Sequence, residues 1–356
     1  MIHLDDPGSF DAIDSEGVLA SVENLAEQCR EAWDIGAAAE ALPSPEGIDS
    51  VIVLGMGGSG VSGDVAQAVA EPRLLQPFRV IKGYGPLPDW VGRNTLAFAV
   101  SYSGSTEETV AALEDAHNKG ARIVTVSSGG PLAQKALEYG LAHVAIPSGL
   151  QPRASLGYLA LPLLAVLEKM GLVSAMAPDV EETVAVLEAL ALRCDRSVPT
   201  AANPAKDLAH KLSGKVGVIY GGSPISQTAA MRFKCDINEY GKVPAFWNAF
   251  PELNHNEIVG WTGLTELTRE SFVHVHLRDS DEHPRVALRF EITHDLVGEN
   301  VAGMTELHSE GVSALARLFS LVFVTQLASI YIGLAQEVDP GPVAVIQELK
   351  SRLADR

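Results

Sequence analysis

A run of hydroxyl side chains, residues 101–106 (Ser-Tyr-Ser-Gly-Ser-Thr), directly follows an apolar segment that ends at Val100. A helical pattern begins at about residue 106, so the hydroxyls lie between the C-terminal end of a predicted strand and a helix N-terminus. Free backbone N–H groups and the helix dipole favour an anion there, and hydroxyls add donors without adding charge. The predicted phosphate ligands are Ser101, Ser103, Ser105 and Thr106. Alternatively, Ser105 and Glu108 form a capping box, which leaves the other hydroxyls without a role.

A glycine cluster at residues 55–60 (Gly-Met-Gly-Gly-Ser-Gly) follows the apolar run Val51–Leu54. Its spacing satisfies the dinucleotide fingerprint, so a nicotinamide cofactor is one interpretation. That fold also requires a carboxylate at the end of the next strand, and residues 80–84 (Val-Ile-Lys-Gly-Tyr) contain none. The cluster therefore predicts a tight strand-to-helix turn, either without a ligand or with a sugar against the backbone of Gly57, Gly58 and Ser59.

The elements that must position these turns alternate along the chain. Short apolar runs at 51–54, 78–81, 96–100, 123–126 and 141–146 are separated by helical patterns, which predicts parallel strands covered by helices on both faces. The strand-glycine-serine-helix order returns at 216–238, which indicates a weak internal duplication. The fold class is therefore α/β: a helical lead-in over residues 1–47, then two α/β halves at 48–172 and 173–356, the second ending in helices at about 309–335 and 341–353.

Composition narrows the classes of function. The 356 residues include 26 Lys and Arg against 45 Asp and Glu, and the formal net charge of −19 argues against nucleic-acid and anionic-membrane partners. Cys29, Cys194 and Cys235 form no pair motif, which is typical of a reducing cytoplasm. The N-terminus lacks a secretory signal pattern, and no apolar run approaches the ~18 residues of a membrane span. We expect a cytoplasmic protein.

Two sets of motifs, one in each half of the chain, resemble those of a known protein family. The pattern Ser-x-Ser-Gly-x-Thr-x-Glu-Thr at 101–109, downstream of the glycine cluster, resembles the sugar isomerase (SIS) domain. Residues 238–246 (Asn-Glu-Tyr-Gly-Lys-Val-Pro-Ala-Phe) and 251–257 (Pro-Glu-Leu-Asn-His-Asn-Glu) resemble the bifunctional phosphoglucose/phosphomannose isomerase family of archaea and actinobacteria. The resemblance runs from about residue 48 to the C-terminus. It implies two SIS-type three-layer α/β/α sandwiches, with the substrate where the C-terminal ends of the strands meet, and no metal or cofactor.

The implied reaction is the reversible isomerisation of glucose 6-phosphate, mannose 6-phosphate or both to fructose 6-phosphate. Moving a proton between C1 and C2 requires a carboxylate base, a ring-opening group and a cation beside the enediolate. Glu239, among polar residues at a helix end, is the natural base, and the resemblance assigns it this role. It also implies that His255 opens the ring from the neighbouring subunit of a homodimer, that Arg153 stabilises the enediolate, and that Lys350 assists ring opening or substrate positioning.

Each residue also has a non-functional interpretation. Glu239 would be a solvated helix-end glutamate, His255 a loop-structuring histidine, Arg153 a surface arginine, and Lys350 a lysine that favours a helix C-terminus. A non-catalytic phosphosugar-binding regulatory SIS protein is the alternative function. Such a protein keeps the serine cluster but does not need Glu239 together with His255.

A metal site is a further alternative, because His274 and His276 lie on one face of a predicted strand, with His283 and His294 downstream. No well-spaced carboxylate lies nearby, so a partly exposed polar strand face is the competing interpretation.

The sequence also departs from the family. Thr325-Gln326 stands where many members have Gly-Asp, and Val343 stands where some have a threonine associated with mannose phosphate. These changes leave the reaction type in place but leave the choice of epimer open.

Overall fold

The computed structural model describes residues 4–355, and within this range the strands form two separate parallel sheets. The strands of the first sheet are β1–β5: Ser50–Leu54, Phe78–Ile81, Thr95–Val100, Arg122–Ser127 and Ala142–Ala145. Their spatial order is β2-β1-β3-β4-β5. The strands of the second sheet are β6–β9: Val216–Gly221, Ala245–Ala249, Phe272–Arg278 and Gly303–His308. Their order is β7-β6-β8-β9, and every neighbouring pair in both sheets is parallel.

The two sheets share a topology. In each, the first strand along the chain lies between the second and the third, and the fourth lies beside the third. This common order supports the internal duplication expected from the recurring glycine turn, with a fifth strand added to the first sheet. The parallel α/β fold class predicted from the sequence is confirmed.

The helices, α1–α14, connect and cover these strands. In chain order they are Val18–Glu23, Leu25–Ala37, Gly57–Ala70, Glu107–Asn118, Gly130–Tyr139, Leu156–Lys169, Ala177–Arg193, Pro204–Leu212, Pro224–Asp236, Glu257–Gly260, Thr265–Ser271, Pro284–Val297, Ala314–Ala335 and Ala344–Ala354. The long C-terminal helix begins at Ala314 rather than at the predicted position of about 309, and the last helix, Ala344–Ala354, agrees with the predicted 341–353 to within three residues. The sequence did not predict β7, β9, α10, α11 or α12.

Strand β1 shows why its sequence is a continuous apolar run. Ile52 packs in one core cluster with Leu113 of α4, while a Cβ added to Gly63 of α3 would lie 2.8 Å from Val53 Cγ1. Successive side chains of a strand point to opposite faces, so α3 and α4 cover the two faces of this sheet. Both faces are therefore dry, and a strand buried on both sides is apolar at every position.

The chain divides into two compact units. The five-stranded unit contains Asn24–Glu188 and Glu310–Ser320, and the four-stranded unit contains the segment up to Glu23, Ala189–Ser309 and the segment from Leu321 onward. This division differs from the sequence boundaries at 47/48 and 172/173, because α2 and most of α7 belong to the five-stranded unit and α1 to the four-stranded unit. The boundaries at 47/48 and 172/173 remain a prediction about SIS domains in the sequence.

The helix Ala314–Ala335 has the length and composition of a membrane span, with a mean hydropathy of 1.9 over its most apolar 18 residues. The sequence expectation that no apolar segment approaches this length was therefore wrong. All residues of that window are buried inside the protein, as expected of a core helix.

Candidate active site

The glycine turn, residues 55–60, and the hydroxyl turn, residues 101–106, lie side by side in the five-stranded unit. They follow β1 and β3, which are neighbours in the sheet, so both turns emerge at the same edge. The backbone N–H of Tyr102 donates to Ser59 Oγ at 3.2 Å, which joins the two turns directly. Ser59 is 5% exposed and Ser101 is fully buried, whereas Ser103 and Ser105 face solvent. The structure thus brings together both sets of residues predicted to bind the phosphosugar.

The hydroxyls of the second turn pair with one another rather than cap the helix. Ser101 Oγ lies 2.9 Å from Thr106 Oγ1, and Ser103 Oγ lies 2.9 Å from Ser105 Oγ. Thr106 occupies the N-cap position of α4 and its side chain makes no capping hydrogen bond. The alternative interpretation, a capping box of Ser105 and Glu108, is therefore wrong. The first-turn N–H groups of α4 receive no side-chain cap, which suits an anionic ligand.

Close backbone approaches require glycine at two positions of this edge. Gly104 has a φ of +68°, and a Cβ on it would lie 1.8 Å from the carbonyl oxygen of Gly129. A Cβ on Gly58 would lie 2.8 Å from the carbonyl oxygen of Pro152. The glycine turn therefore packs against the segment that carries Arg153, the predicted enediolate ligand.

Arg153 lies in a single 3₁₀ turn, Pro152–Ala154, directly before α6, and only 5% of it is exposed. The interpretation as a surface arginine is therefore wrong. Three hydrogen bonds hold the surrounding loop: Gln28 Nε2 donates to the carbonyl of Ala154 at 2.9 Å, Ser155 Oγ donates to that of Pro152 at 3.0 Å, and Leu150 N–H donates to Tyr102 Oη at 2.9 Å.

Tyr102 is a residue of this site that sequence reasoning missed. Its hydroxyl contacts the Arg153 loop, its N–H contacts Ser59, and its carbonyl accepts from Ser128 Oγ at 2.7 Å. Burial raises the pKa of its phenol, which therefore stays neutral. Its position between Ser101 and Ser103 was the available signal, but the contacts it makes depend on the tertiary fold.

The equivalent edge of the four-stranded unit is not suited to bind an anion. Ser223 and Ser226 form a capping box at the start of α9, so that helix N-terminus is satisfied. The residue that follows β8, at the place of Ser101 after β3, is Asp279, which is 4% exposed. Its carboxylate accepts from Ser223 Oγ at 2.8 Å and from Ser309 Oγ at 3.2 Å. A built-in carboxylate repels a phosphate, so of the two duplicated edges only the one with the hydroxyl turn suits a phosphate.

Glu239 lies in a π-helical turn, Ile237–Gly241, that continues α9 in the four-stranded unit. π-turns inside helices occur frequently at functional sites. Gln326 Nε2 donates to Tyr240 Oη at 3.2 Å, and Asn238 Nδ2 donates to the carbonyl of Val243 at 2.8 Å. A Cβ on Gly333 of α13 would lie 2.6 Å from the carbonyl oxygen of Tyr240, so the turn packs tightly on that helix.

A cavity of about 490 Å³ lies against this turn. Among the described residues that line it, Glu239 and Lys242 are charged, and the lining also includes Pro342 and Val343 just before α14 and Ala344 at its start. The residue at the family's threonine position, Val343, thus faces the same cavity as the predicted base. Lys350 is exposed on α14 and is not among the lining residues, so the structure does not bring it to this cavity.

His255 is exposed at the end of a short 3₁₀ helix, Glu252–His255. Its neighbour Asn254 is held to α12, where Asn254 Nδ2 donates to Thr293 Oγ1 at 2.9 Å and Arg289 Nη1 donates to Asn254 Oδ1 at 3.1 Å. The backbone beside His255 is therefore fixed while its ring remains accessible.

The His274 and His276 pair is not a partly exposed strand face, and that expectation was wrong. The two side chains are 0% and 1% exposed, and their ring centroids lie 6.4 Å apart. Burial and the neighbouring His276 lower the pKa of His274 to about 3. Within residues 4–355 no group of three or more His, Cys, Asp or Glu is arranged to hold a metal ion.

Known proteins are similar to this chain in sequence and in fold. Residues 201–353 match the family described as the bacterial phospho-glucose isomerase C-terminal SIS domain. A bifunctional phosphoglucose/phosphomannose isomerase from Caldicellulosiruptor bescii is 42% identical over 335 residues, covering 94% of this chain and 98% of that protein. A protein of the same name from Aquifex aeolicus is 34% identical, covering 85% of this chain and 90% of its own length.

A glucose-6-phosphate isomerase like protein from Thermus thermophilus has a similar crystal structure. The TM-score is 0.65 over 96% of this chain and 99% of that one, with 19% sequence identity. A likeness at that identity shows a shared fold, and it agrees with the two parallel sheets described above.

Proposed function

The chain belongs to the bifunctional phosphoglucose/phosphomannose isomerase family, and from that premise we propose that it isomerises hexose 6-phosphates through an enediolate with Glu239 as the base. The observation that carries the proposal is the place of Glu239, a carboxylate on a π-turn beside a cavity whose other walls are mostly apolar. An aldose–ketose isomerase needs one such carboxylate next to C1 and C2, and a regulatory phosphosugar-binding protein does not.

The hydroxyl turn supports a phosphorylated substrate. Ser101, Ser103, Ser105 and Thr106 present neutral donors at an uncapped helix N-terminus, which can bind a phosphate dianion without a basic surface. The backbone of Gly57, Gly58 and Ser59 lies beside them and would contact the sugar. Within the five-stranded unit, the buried Arg153 follows the segment that packs on Gly58.

The steps of the reaction assign one role to each residue. His255 donates a proton to the ring oxygen as the bond between C1 and that oxygen breaks, and the proton of the anomeric hydroxyl passes to water, which leaves the open-chain aldehyde. Glu239 then removes the proton from C2 of the aldose, and its conjugate acid returns that proton to C1, while the hydroxyl proton on O2 passes to O1, which gives the ketose. Arg153 stabilises the negative charge of the enediolate in between. Because C2 is planar in the enediolate, protonation of its two faces gives the glucose or the mannose epimer.

The assembly and location belong to the same proposal. The chain forms at least a homodimer in which His255 acts on the substrate of the neighbouring subunit, and the exposed ring of His255 supports this assignment. Lys350 assists ring opening or substrate positioning. The enzyme works in the cytoplasm, and the cysteines at positions 29, 194 and 235, which form no disulfide with one another, support this location.

The experiment incubates the purified protein with fructose 6-phosphate and assays glucose 6-phosphate and mannose 6-phosphate separately. We expect at least one aldose to form, and the ratio of the two gives the epimer preference. If neither aldose forms while fructose 6-phosphate binds, the isomerase proposal is lost and the regulatory alternative stands.

A further inference from the structure

We propose that Lys242 is a positioning residue that fixes the turn carrying Glu239 against the start of α14, an inference that rests on the proposed role of Glu239. Lys242 follows the π-turn directly and has no role in the proposed reaction steps. It lines the same cavity as Glu239.

The backbone of Lys242 is in an unusual conformation. Its φ of +53° lies in the left-handed region, which costs free energy for a residue with a side chain. Such residues persist where the surroundings hold them, and they cluster at functional sites. Here the conformation ends the π-turn and directs the chain into β7.

The side chain of Lys242 joins two segments that are far apart in sequence. Its ammonium group donates to the backbone carbonyl of Glu239 and, at 3.3 Å, to the carbonyl of Pro340. Pro340 lies just before Pro342 and Val343, which also line the cavity. One cation therefore connects the backbone of the predicted base to the segment that precedes Pro342 and Val343, two other residues that line the cavity.

This connection has a specific consequence for catalysis. A general base must be held within hydrogen-bonding reach of the proton it removes, and a small displacement lowers the rate strongly. Loss of the Lys242 ammonium removes its hydrogen bonds to the carbonyls of Glu239 and Pro340, so this side chain no longer joins the two segments. Because the proposed phosphate ligands lie in the other unit, substrate affinity should change little.

The experiment compares Lys242→Met, which removes the donors, with Lys242→Arg, which keeps them. Lys215→Met is a matched control, because Lys215 Nζ also donates to a backbone carbonyl of the same unit, that of Glu270, at 2.6 Å. We expect Lys242→Met to lower kcat by about 10- to 100-fold with KM for fructose 6-phosphate within about twofold of wild type. Lys242→Arg should retain most of kcat, and Lys215→Met should retain all of it.

A second measurement is independent of activity. Hydrogen exchange of backbone amides in residues 337–346 should be faster in Lys242→Met than in wild type, and unchanged in Lys215→Met, with the thermal midpoint of Lys242→Met near that of wild type. Wild-type kcat in Lys242→Met, or unchanged exchange in that segment, would overturn the inference. A wild-type protein that forms no aldose at all would instead refute the proposed function, and the exchange result would still report on the Lys242 connection.

Discussion

At the residue scale, the side chains that differ most from expectation are the two strand histidines. A polar residue at every second position of a strand normally indicates a solvated face, but β8 lies between β6 and β9 and is covered. Around His274 the cover consists of aromatic rings, with Tyr220 at 5.1 Å and Trp261 at 4.4 Å between ring centroids. Neither ring nitrogen of His274 has a hydrogen-bond partner.

His274 should make the protein sensitive to acid. Its folded-state pKa of about 3 lies below the ordinary 6.5, so between these values the unfolded chain binds a proton that the folded chain does not. Stability therefore falls as pH falls from about 6.5 toward 3. We expect His274→Phe to remove about 2 kcal/mol of the stability loss between pH 7 and pH 5.

Urea unfolding at both pH values measures this effect. The exposed His210 provides a control, because His210→Gln should leave the pH dependence as it is in wild type. An equal loss of stability in wild type and His274→Phe would show that the buried imidazole is not the acid-sensitive group.

At the element scale, the comparison of the two glycine turns explains how one chain has a single predicted phosphate site. Both follow the first strand of a parallel sheet and both contain a serine that reaches the end of the third strand. In the five-stranded unit that serine meets a backbone N–H, and in the four-stranded unit it meets the carboxylate of Asp279. The two edges therefore share the same arrangement of strand, turn and helix but differ in charge.

Two serine substitutions should separate binding from stability. Ser101→Ala removes a proposed phosphate ligand and should raise KM for fructose 6-phosphate by about 10-fold, the value of one hydrogen bond to a charged group, with little change in thermal stability. Ser223→Ala removes a helix cap and should lower stability by about 1 kcal/mol with KM unchanged.

Steady-state kinetics and thermal unfolding of both variants check this pair of effects. An unchanged KM in Ser101→Ala would exclude this hydroxyl as a ligand. A raised KM in Ser223→Ala would instead indicate that the substrate binds at the glycine turn of the four-stranded unit.

The sequence predicted the elements around the site where their patterns are strong. Strands such as β1 and β3 are buried on both faces and are therefore apolar throughout, and glycine marks their ends. The edge strands β7 and β9 lacked this signal, since β7 exposes Phe246 and Trp247 and β9 is mostly half-buried and polar. The burial of Arg153, the π-turn at Glu239 and the contacts of Lys242 depend on packing between distant segments, which no local pattern encodes.

At the scale of the whole molecule, the net charge of −19 first seems unfavourable to an anionic substrate. The hydroxyl turn resolves the difficulty, because it offers neutral donors and a helix N-terminus, and the buried Arg153 supplies a positive charge in the segment beside the glycine turn. A phosphosugar can thus bind while the acidic surface keeps polyanions away.

The shared site proposed for the homodimer predicts complementation between two inactive variants. Glu239→Gln and His255→Asn should each be inactive alone. A mixed dimer contains one site with both native residues, so random assembly of equal amounts should restore about a quarter of wild-type activity. Co-refolding or co-expression followed by the aldose assay measures it, and no recovery in verified mixed dimers would show that His255 acts within its own subunit.

The most direct test of the central claim, that Glu239 moves the proton during hexose 6-phosphate isomerisation, compares Glu239→Gln with Glu266→Gln, an exposed glutamate of the same unit. We expect Glu239→Gln to lower kcat for fructose 6-phosphate by about 10²- to 10⁴-fold while its calorimetric Kd stays within about twofold of wild type, and Glu266→Gln to behave as wild type. Aldose formation at the wild-type rate by Glu239→Gln would contradict the claim.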